Sequence, residues 1–299
     1  MQADRVGFIG LGSMGRRMVA NLAGAGEEIL VFDVDAAACE AVEGPGVRPV
    51  ENVASVGRGC NRVLLSLPDG AVVEQVLLGA GGLAESLKAG AVVADCSTCH
   101  PDHARDMEIR LKERGIRLLD APVTGLEDRA AAGTLTVMVG GDQAAFEEVK
   151  PLLERIGSLV VHMGAPGHGQ LTKMANNVLY NISVAAMAEM LPLAVRLGLD
   201  PDKLRRVVAT GSGQSFGFDY FAEHVLRGRF DEGYPMGAAF KDMVTLMERA
   251  DQERAPMPVA SGAMQTYRQA LAEGHGDEAK GAMIKVWERV MGVAVRKKG

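Results

Sequence analysis

Aromatic residues make up only 4% of this 299-residue chain, and there is a single Trp. Positive charge is not in excess either: the formal net charge is −6. No global basic field therefore draws the protein to nucleic acid or to an anionic membrane. No uninterrupted apolar run approaches the roughly 18–20 residues of a membrane span. The first residues, Met1-Gln2-Ala3-Asp4-Arg5, lead straight into a strand-like segment. That leaves no room for a signal peptide, so a cytoplasmic protein is expected. Cysteine is sparse: Cys39, Cys60, Cys96 and Cys99. The string Cys96-Ser97-Thr98-Cys99-His100 fits both a CxxC redox or metal pair and a CxxCH haem attachment site. Zinc would need two further ligands, and there is no second CxxC. Haem attachment would need export. His162, His168 and His275 form no metal-spaced set, so no metal is expected.

What the chain does have is Gly (37), Met (16) and an ordinary hydrophobic content of 47%. The first ~165 residues alternate strand-like and helix-like segments. Strands are expected at Arg5–Gly10, Glu28–Asp33, Arg62–Leu67, Ala91–Asp95, Arg117–Leu119, Thr134–Val139 and Ser158–Met163. Helices are expected at Met14–Gly24 and near Ala71–Leu78, Asp102–Arg114 and Asp142–Ile156. Such alternation implies a largely parallel sheet with helices on both faces. Beyond Gly164-Ala165-Pro166-Gly167 the strand signal disappears. Leu171–Leu197 reads as one long helix, apolar around much of its circumference and so mostly buried, with Pro192 kinking or interrupting it. Asp200-Pro201 starts another helix, and Met236–Ala250 and Val259–Ala272 read helical. Two domains follow: a dinucleotide-binding α/β domain over 1–164 and an all-helical domain over 165–299.

Gly10-Leu11-Gly12-Ser13-Met14-Gly15 is GxGxxG, directly after a strand and directly before a helix. The first Gly permits a tight turn, the second lets pyrophosphate approach the backbone, and the third lets helix and strand pack closely. The helix N-terminus adds free N–H groups and partial positive charge. Asp33 lies at the end of the second strand, where a carboxylate accepts from ribose hydroxyls and repels a 2′-phosphate. It favours NAD over NADP, with NADP kept as an alternative. Leu67 and Pro68, at the exit of the Arg62–Leu67 strand, are candidates for packing on the cofactor.

Farther along, Gly167-His168-Gly169-Gln170-Leu171-Thr172-Lys173-Met174-Ala175-Asn176-Asn177 opens the long helix. Lys173 and Asn177 are four residues apart and share a helical face. Ser97, Thr98, Thr124 and Gly125 sit after strands, where hydroxyls and N–H groups suit a carboxylate.

With these motifs in order, the chain resembles the β-hydroxyacid dehydrogenases, the family of 3-hydroxyisobutyrate dehydrogenase and tartronate semialdehyde reductase. The resemblance covers nearly the whole length. It rests on Gly7–Met18, Asp95–Pro101, Asp120–Gly125, Gly133–Gly141, Gly167–Asn177 and Phe240–Met243. It implies a Rossmann-type N-terminal domain, a long inter-domain helix and an α-helical C-terminal domain used in forming a homodimer or homotetramer. It implies Lys173 as the general acid/base and Asn177 as its substrate-site neighbour. It further implies Thr98 and Lys241 at the cofactor, and Thr124 and Gly125 at the substrate carboxylate. Lys173 would take the hydroxyl proton of a small 3-hydroxy acid, acting near neutral pH where a dry cleft or a second cation lowers its pKa. Lys241 or the oxidised nicotinamide would supply that charge. An NADPH-dependent aldehyde reductase and a non-catalytic dinucleotide-binding scaffold are the alternatives; an imine reductase fits Lys173 less well.

Two segments depart from the family pattern. The substrate loop usually reads Ser-Gly-Gly; here it is Thr124-Gly125-Leu126-Glu127-Asp128-Arg129. Leu126 adds bulk and Arg129 adds a cation, either facing a second anionic group of the substrate or turned to solvent or to Glu127 or Asp128. The segment Gly274-His275-Gly276-Asp277-Glu278-Ala279 lacks the usual Asp-x-Ser that follows its glycines.

Overall fold

The computed structural model describes residues 5–297. The lead-in read at residues 1–4 lies outside the described residues. The chain divides into two compact units, one ending at Lys173 and one starting at Met174.

The first unit is built on β1 (Val6–Ile9), β2 (Ile29–Phe32), β3 (Val47–Pro49), β4 (Arg62–Leu65), β5 (Val92–Asp95), β6 (Arg117–Asp120), β7 (Val123–Thr124), β8 (Leu135–Gly140) and β9 (Gly157–Gly164). They form one sheet in the order β3-β2-β1-β4-β5-β6-β8-β7, with β9 also pairing β8. Pairing is parallel from β3 through to β6 and between β8 and β9. It is antiparallel where β8 meets β6 and β7. Alternate side chains feed two cores, as the period of two requires. Val6, Phe8, Val31, Leu64, Val92 and Ala94 join one; Ile9, Leu30, Val63, Leu65 and Val93 join the other. Both faces being apolar, the strands read as continuous hydrophobic runs covered by helices. Short polar side chains start several of those helices: Asp69 accepts from Val72 N–H, and Asp142 from Ala145 N–H.

The expected strands are present, with small shifts at their ends. The three-residue β3 and two-residue β7 were not foreseen, nor were the short helices Ala36–Val42, Val53–Gly59, Leu83–Ser86 and Leu126–Ala131. The last occupies what the sequence suggested was a loop.

The second unit is helical. It comprises the remainder of the long helix His168–Arg196, then Pro201–Val208, Phe216–Leu226, Met236–Gln252, Pro258–Ala272, a 3-10 turn at Lys280–Met283, and Ile284–Met291. Its core gathers Val184, Met187, Leu191, Phe221, Met243 and Tyr267. Asp200 caps the helix that starts at Pro201, accepting from Asp202 and Lys203 N–H groups.

The long helix differs from expectation in two respects. It runs through Pro192 without a break. It is not mostly buried, because Leu179 and Met190 are more than half exposed. It is also long and apolar enough, by length and composition, to cross a bilayer, with a mean hydropathy of 1.6 over its richest 18 residues. Half of that window is buried inside the protein, as in a helix that contributes to a core.

Candidate active site

The strand order reverses between β1 and β4, and in open α/β sheets ligands lie beyond the strand ends at that point. The fingerprint loop follows β1 there. Gly10 has φ +96°, and a Cβ on it would lie 2.2 Å from the Ser66 carbonyl oxygen. A Cβ on Gly15 would lie 1.9 Å from the Gly10 carbonyl oxygen. Only glycine fits either place. A Cβ on Gly12 would meet nothing within 4 Å, so the loop's outer edge is open. Helix Gly15–Gly24 begins at Met14 without a side-chain cap; the Gly12 and Met14 carbonyls meet the Arg16 and Arg17 N–H groups, and the positive end of the helix faces the loop. Asp33 closes the cradle: its Oδ2 accepts from Leu11 N–H at 2.6 Å and its Oδ1 from Asp35 N–H at 2.9 Å. A turn with an open edge, a helix start without a side-chain cap and a fixed carboxylate fits a dinucleotide's pyrophosphate and ribose. The residues that would hold it are Gly10 to Gly15 and Asp33.

The ends of β4 and β5 are tied together by Ser97. Its Oγ accepts from Leu67 N–H at 2.8 Å, its N–H donates to Asp95 Oδ1 at 3.0 Å, and its carbonyl accepts from Gln170 Nε2 at 2.8 Å. Gln170 Oε1 in turn accepts from Cys99 N–H at 3.1 Å. The Leu67-Pro68 exit and the Ser97 loop, both picked out in the sequence, thus meet. Ser97 faces inward, and Thr98 beside it is exposed. Asp95 is buried, which pushes its carboxyl up to about 6 despite the hydrogen bonds from Ser97. Cys96 and Cys99 are free thiols; burial raises both, the opposite of a reactive thiolate.

Asp120, at the end of β6, sets the start of the long helix. Its Oδ1 accepts from Gly167 N–H at 2.7 Å and its Oδ2 from Gln170 N–H at 2.8 Å. This cap, with Gly167 at φ +84°, starts the helix at His168 rather than at Leu171. Glycine is required at 169, where a Cβ would lie 2.4 Å from the Met138 carbonyl oxygen and 2.8 Å from Asp120 Oδ2. Burial raises the Asp120 carboxyl, against the lowering effect of those backbone N–H groups.

One turn into the helix, Lys173 is half-buried and its Nζ donates to the Val123 carbonyl at 2.7 Å. The next residues are Thr124 and Gly125. Lys173 and the Thr124-Gly125 loop, 50 residues apart in sequence, are therefore neighbours. Gly125 has φ +143° and Leu126 has φ +59°, a left-handed conformation uncommon outside glycine. Arg129 packs under Gly125 and donates from Nε to the Thr134 carbonyl at 2.8 Å. Glu127, one of the two acids beside it, pairs instead with Arg17 at 2.6 Å.

In the second unit, Asn177 Nδ2 donates to Asp242 Oδ2 at 2.9 Å. Lys241 is exposed on the same helix as Asp242. Asp95, Asp120, Gln170 and Asp242 had no role in the sequence reading. All four stand inside motifs already picked out, and only the fold supplied their partners.

Comparison with known proteins agrees with this architecture. Residues 5–164 match the family described as the NAD binding domain of 6-phosphogluconate dehydrogenase. Residues 167–287 match the one described as the NAD-binding region of NADP-dependent 3-hydroxyisobutyrate dehydrogenase. The chain belongs to the β-hydroxyacid dehydrogenase family, oxidoreductases that bind NAD(P) and act on hydroxyl groups. It is 37% identical to 2-(hydroxymethyl)glutarate dehydrogenase of Eubacterium barkeri, over 97% of each chain. It is 32% identical to an NAD-dependent L-serine dehydrogenase of Pseudomonas aeruginosa, over 96% of this chain and 99% of that one. The crystal structure of a 3-hydroxyisobutyrate dehydrogenase from Salmonella typhimurium superposes with a TM-score of 0.85 at 31% identity, covering 94% of this chain and 99% of that one.

Proposed function

We propose that the protein is an NAD-dependent dehydrogenase of a small 3-hydroxy acid, with Lys173 as its general acid/base. The observation that carries this reading is the pairing of Lys173 Nζ with the Val123 carbonyl. It sets an ammonium beside the Thr124-Gly125 loop, which offers a hydroxyl and N–H groups to a carboxylate. Bound NAD supplies the hydride acceptor. Lys173, as the free amine, takes the proton of the substrate hydroxyl; in reverse it returns that proton to the developing alkoxide. Asn177 orients the substrate, with Asp242 holding one of its amide hydrogens. Thr98 and Lys241 serve the cofactor, Leu67 and Pro68 pack against it, and Ser97 contributes by fixing their loop.

NAD is placed ahead of NADP because Asp33 is a carboxylate pinned at both oxygens, and no Lys or Arg occurs between it and Arg48. The Pseudomonas relative is NAD-dependent by name. 2-(Hydroxymethyl)glutarate, the substrate named for the Eubacterium relative, is a 3-hydroxy acid with a second carboxylate. Arg129 is the cation this loop offers to such a distal anion. The exposed apolar side chains of the second unit, including Leu179, Leu197, Leu199 and Phe216, support a homodimer or homotetramer. Four free cysteines suit a reducing compartment such as the cytoplasm.

The test is NAD and NADP reduction across a panel of 3-hydroxy acids with and without a distal anion, in wild type and Arg129→Ala. NAD-linked turnover that favours the dianionic members and loses that preference in Arg129→Ala supports the whole reading. Turnover without such a preference removes Arg129. Silence across the panel with NAD still bound supports a scaffold instead.

A further inference from the structure

The helical unit buries a lysine. Lys280 is 1% exposed and directly follows the segment Gly274–Ala279, where the sequence departs from its family's Asp-x-Ser. Its Nζ stands 3.4 Å from the centroid of the Tyr180 ring and 5.7 Å from that of Tyr234, and it donates to Asn181 Oδ1 at 2.9 Å. Removing an ammonium from water costs several kcal/mol before any partner is found. An apolar side chain would fill the same core more cheaply.

The position of its partner explains the charge. An asparagine amide presents an oxygen and an NH₂ of nearly the same shape, and a core can hold it either way round. An ammonium only donates, so Asn181 Oδ1 must face Lys280. Nδ2 is then left to donate to the Ala239 carbonyl at 3.1 Å. Asn181 is one turn after Asn177 on the long helix, and Ala239 is three residues before Asp242 on Met236–Gln252. The bonds Asn181–Ala239 and Asn177–Asp242 are thus two successive rungs between the same two helices. Tyr267 Oη, 3.4 Å from the Asn181 carbonyl, closes the buried end. Lys280 is itself held beside the start of the second helix, because Met236 N–H donates to the Glu278 carbonyl at 2.9 Å.

We propose that Lys280 is a positioning residue: by fixing which way Asn181 faces, it locks the register of the helix bearing Lys241 and Asp242 against the helix bearing Asn177. This rests on the substrate role proposed for Asn177.

The test compares Lys280→Met, Lys280→Gln and Asn181→Asp with wild type by steady-state kinetics, melting temperature and amide hydrogen exchange. In Lys280→Met, kcat/KM falls about tenfold to a hundredfold, the scale on which misplacement by about 1 Å acts. Most of that loss is in KM, and the melting temperature stays at or above wild type because a buried charge is gone. Lys280→Gln, neutral but still a donor, recovers most of the loss. Asn181→Asp keeps the acceptor for Lys280 but has no donor for Ala239, so it reproduces the loss. Amides in Met236–Gln252 exchange faster in Lys280→Met and Asn181→Asp. Unchanged kinetics and exchange in those two variants overturn the proposal. So does a lower melting temperature with full activity in the folded protein, which would make Lys280 only structural. If Lys280→Met does not fold, Asn181→Asp and Lys280→Gln decide. If wild type oxidises no hydroxy acid, the proposed activity falls, and hydrogen exchange alone judges Lys280.

Discussion

The most deeply buried charge in each unit differs in sign, and the difference follows what the local backbone can satisfy. At the strand ends of the first unit the buried groups are carboxylates. Loops there leave N–H groups unpaired, and Asp95 and Asp120 collect them from Ser97, Gly167 and Gln170. In the second unit nearly every backbone N–H is spent inside a helix, so a carboxylate would find few donors in its core. The most deeply buried charge there is Lys280, satisfied by a side-chain amide and the faces of aromatic rings; Glu288, the carboxylate also buried there, takes its N–H from Val295 beyond the last helix and pairs with Arg296. Asp95 and Asp120 in one unit and Lys280 in the other each fix a segment close to a proposed functional side chain.

The strongest challenge to this comparison is to remove the group that the first unit's carboxylates help to place. Lys173→Ala is expected to cut turnover by about 10²–10⁴, the usual range for a general acid/base, with melting temperature and NAD binding unchanged. Near-wild-type turnover would show that the scaffold serves some other end. A smaller effect is expected for Asp120→Asn, whose NH₂ must face a backbone N–H that Asp120 now accepts. Leaving a buried donor unsatisfied costs about 1–3 kcal/mol. The melting temperature should drop and kcat/KM should fall with it, since Lys173 is one turn away. A variant as stable and active as wild type would reduce the cap to ornament.

The smallest effect separates the charge of a buried carboxylate from its shape. Asp95 is raised from 3.8 to about 6, so the folded state holds this proton to higher pH than the unfolded chain does. Folding takes up a proton between those values, and the stability due to this group declines as pH rises through that window. Asp95→Asn keeps the acceptor for Ser97 N–H and cannot ionise. Its melting temperature should approach that of wild type near about pH 4 and exceed it by a few degrees at about pH 7.5. A gap independent of pH would show that ionisation of Asp95 costs the fold nothing.

Much of the first unit was legible because its strands are short apolar runs punctuated by Gly and Asp, and because GxGxxG falls between a strand and a helix. β3 and β7 were missed for a physical reason. With three and two residues, one ending in Pro49, they carry no periodicity of their own and exist only because β2 and β8 offer edges. The helix Leu126–Ala131 was hidden by its start, where Leu126 holds a conformation that sequence rules reserve for glycine. For the site, the residues were readable but the wiring was not. Asp120 reaches Gly167 across 47 residues and Gln170 reaches Ser97 across 73, separations at which no local pattern speaks. Of the two outcomes expected at Pro192, a kink or an interruption, the interruption does not occur, since the helix continues to Arg196.

The helix His168–Arg196 has a consequence for how this protein can vary. Lys173, Asn177 and Asn181 hang from one rod at intervals of about 6 Å. Lengthening the rod by a single residue between any two of them would turn one against the other by about 100°, so that Lys173 and Asn177 would leave their shared face, or the Asn177–Asp242 and Asn181–Ala239 bonds could not form together. Loops elsewhere absorb insertions with little penalty. Over these nine positions the count of residues is as constrained as their identity, so divergence here proceeds by exchange of side chains and not by change of length.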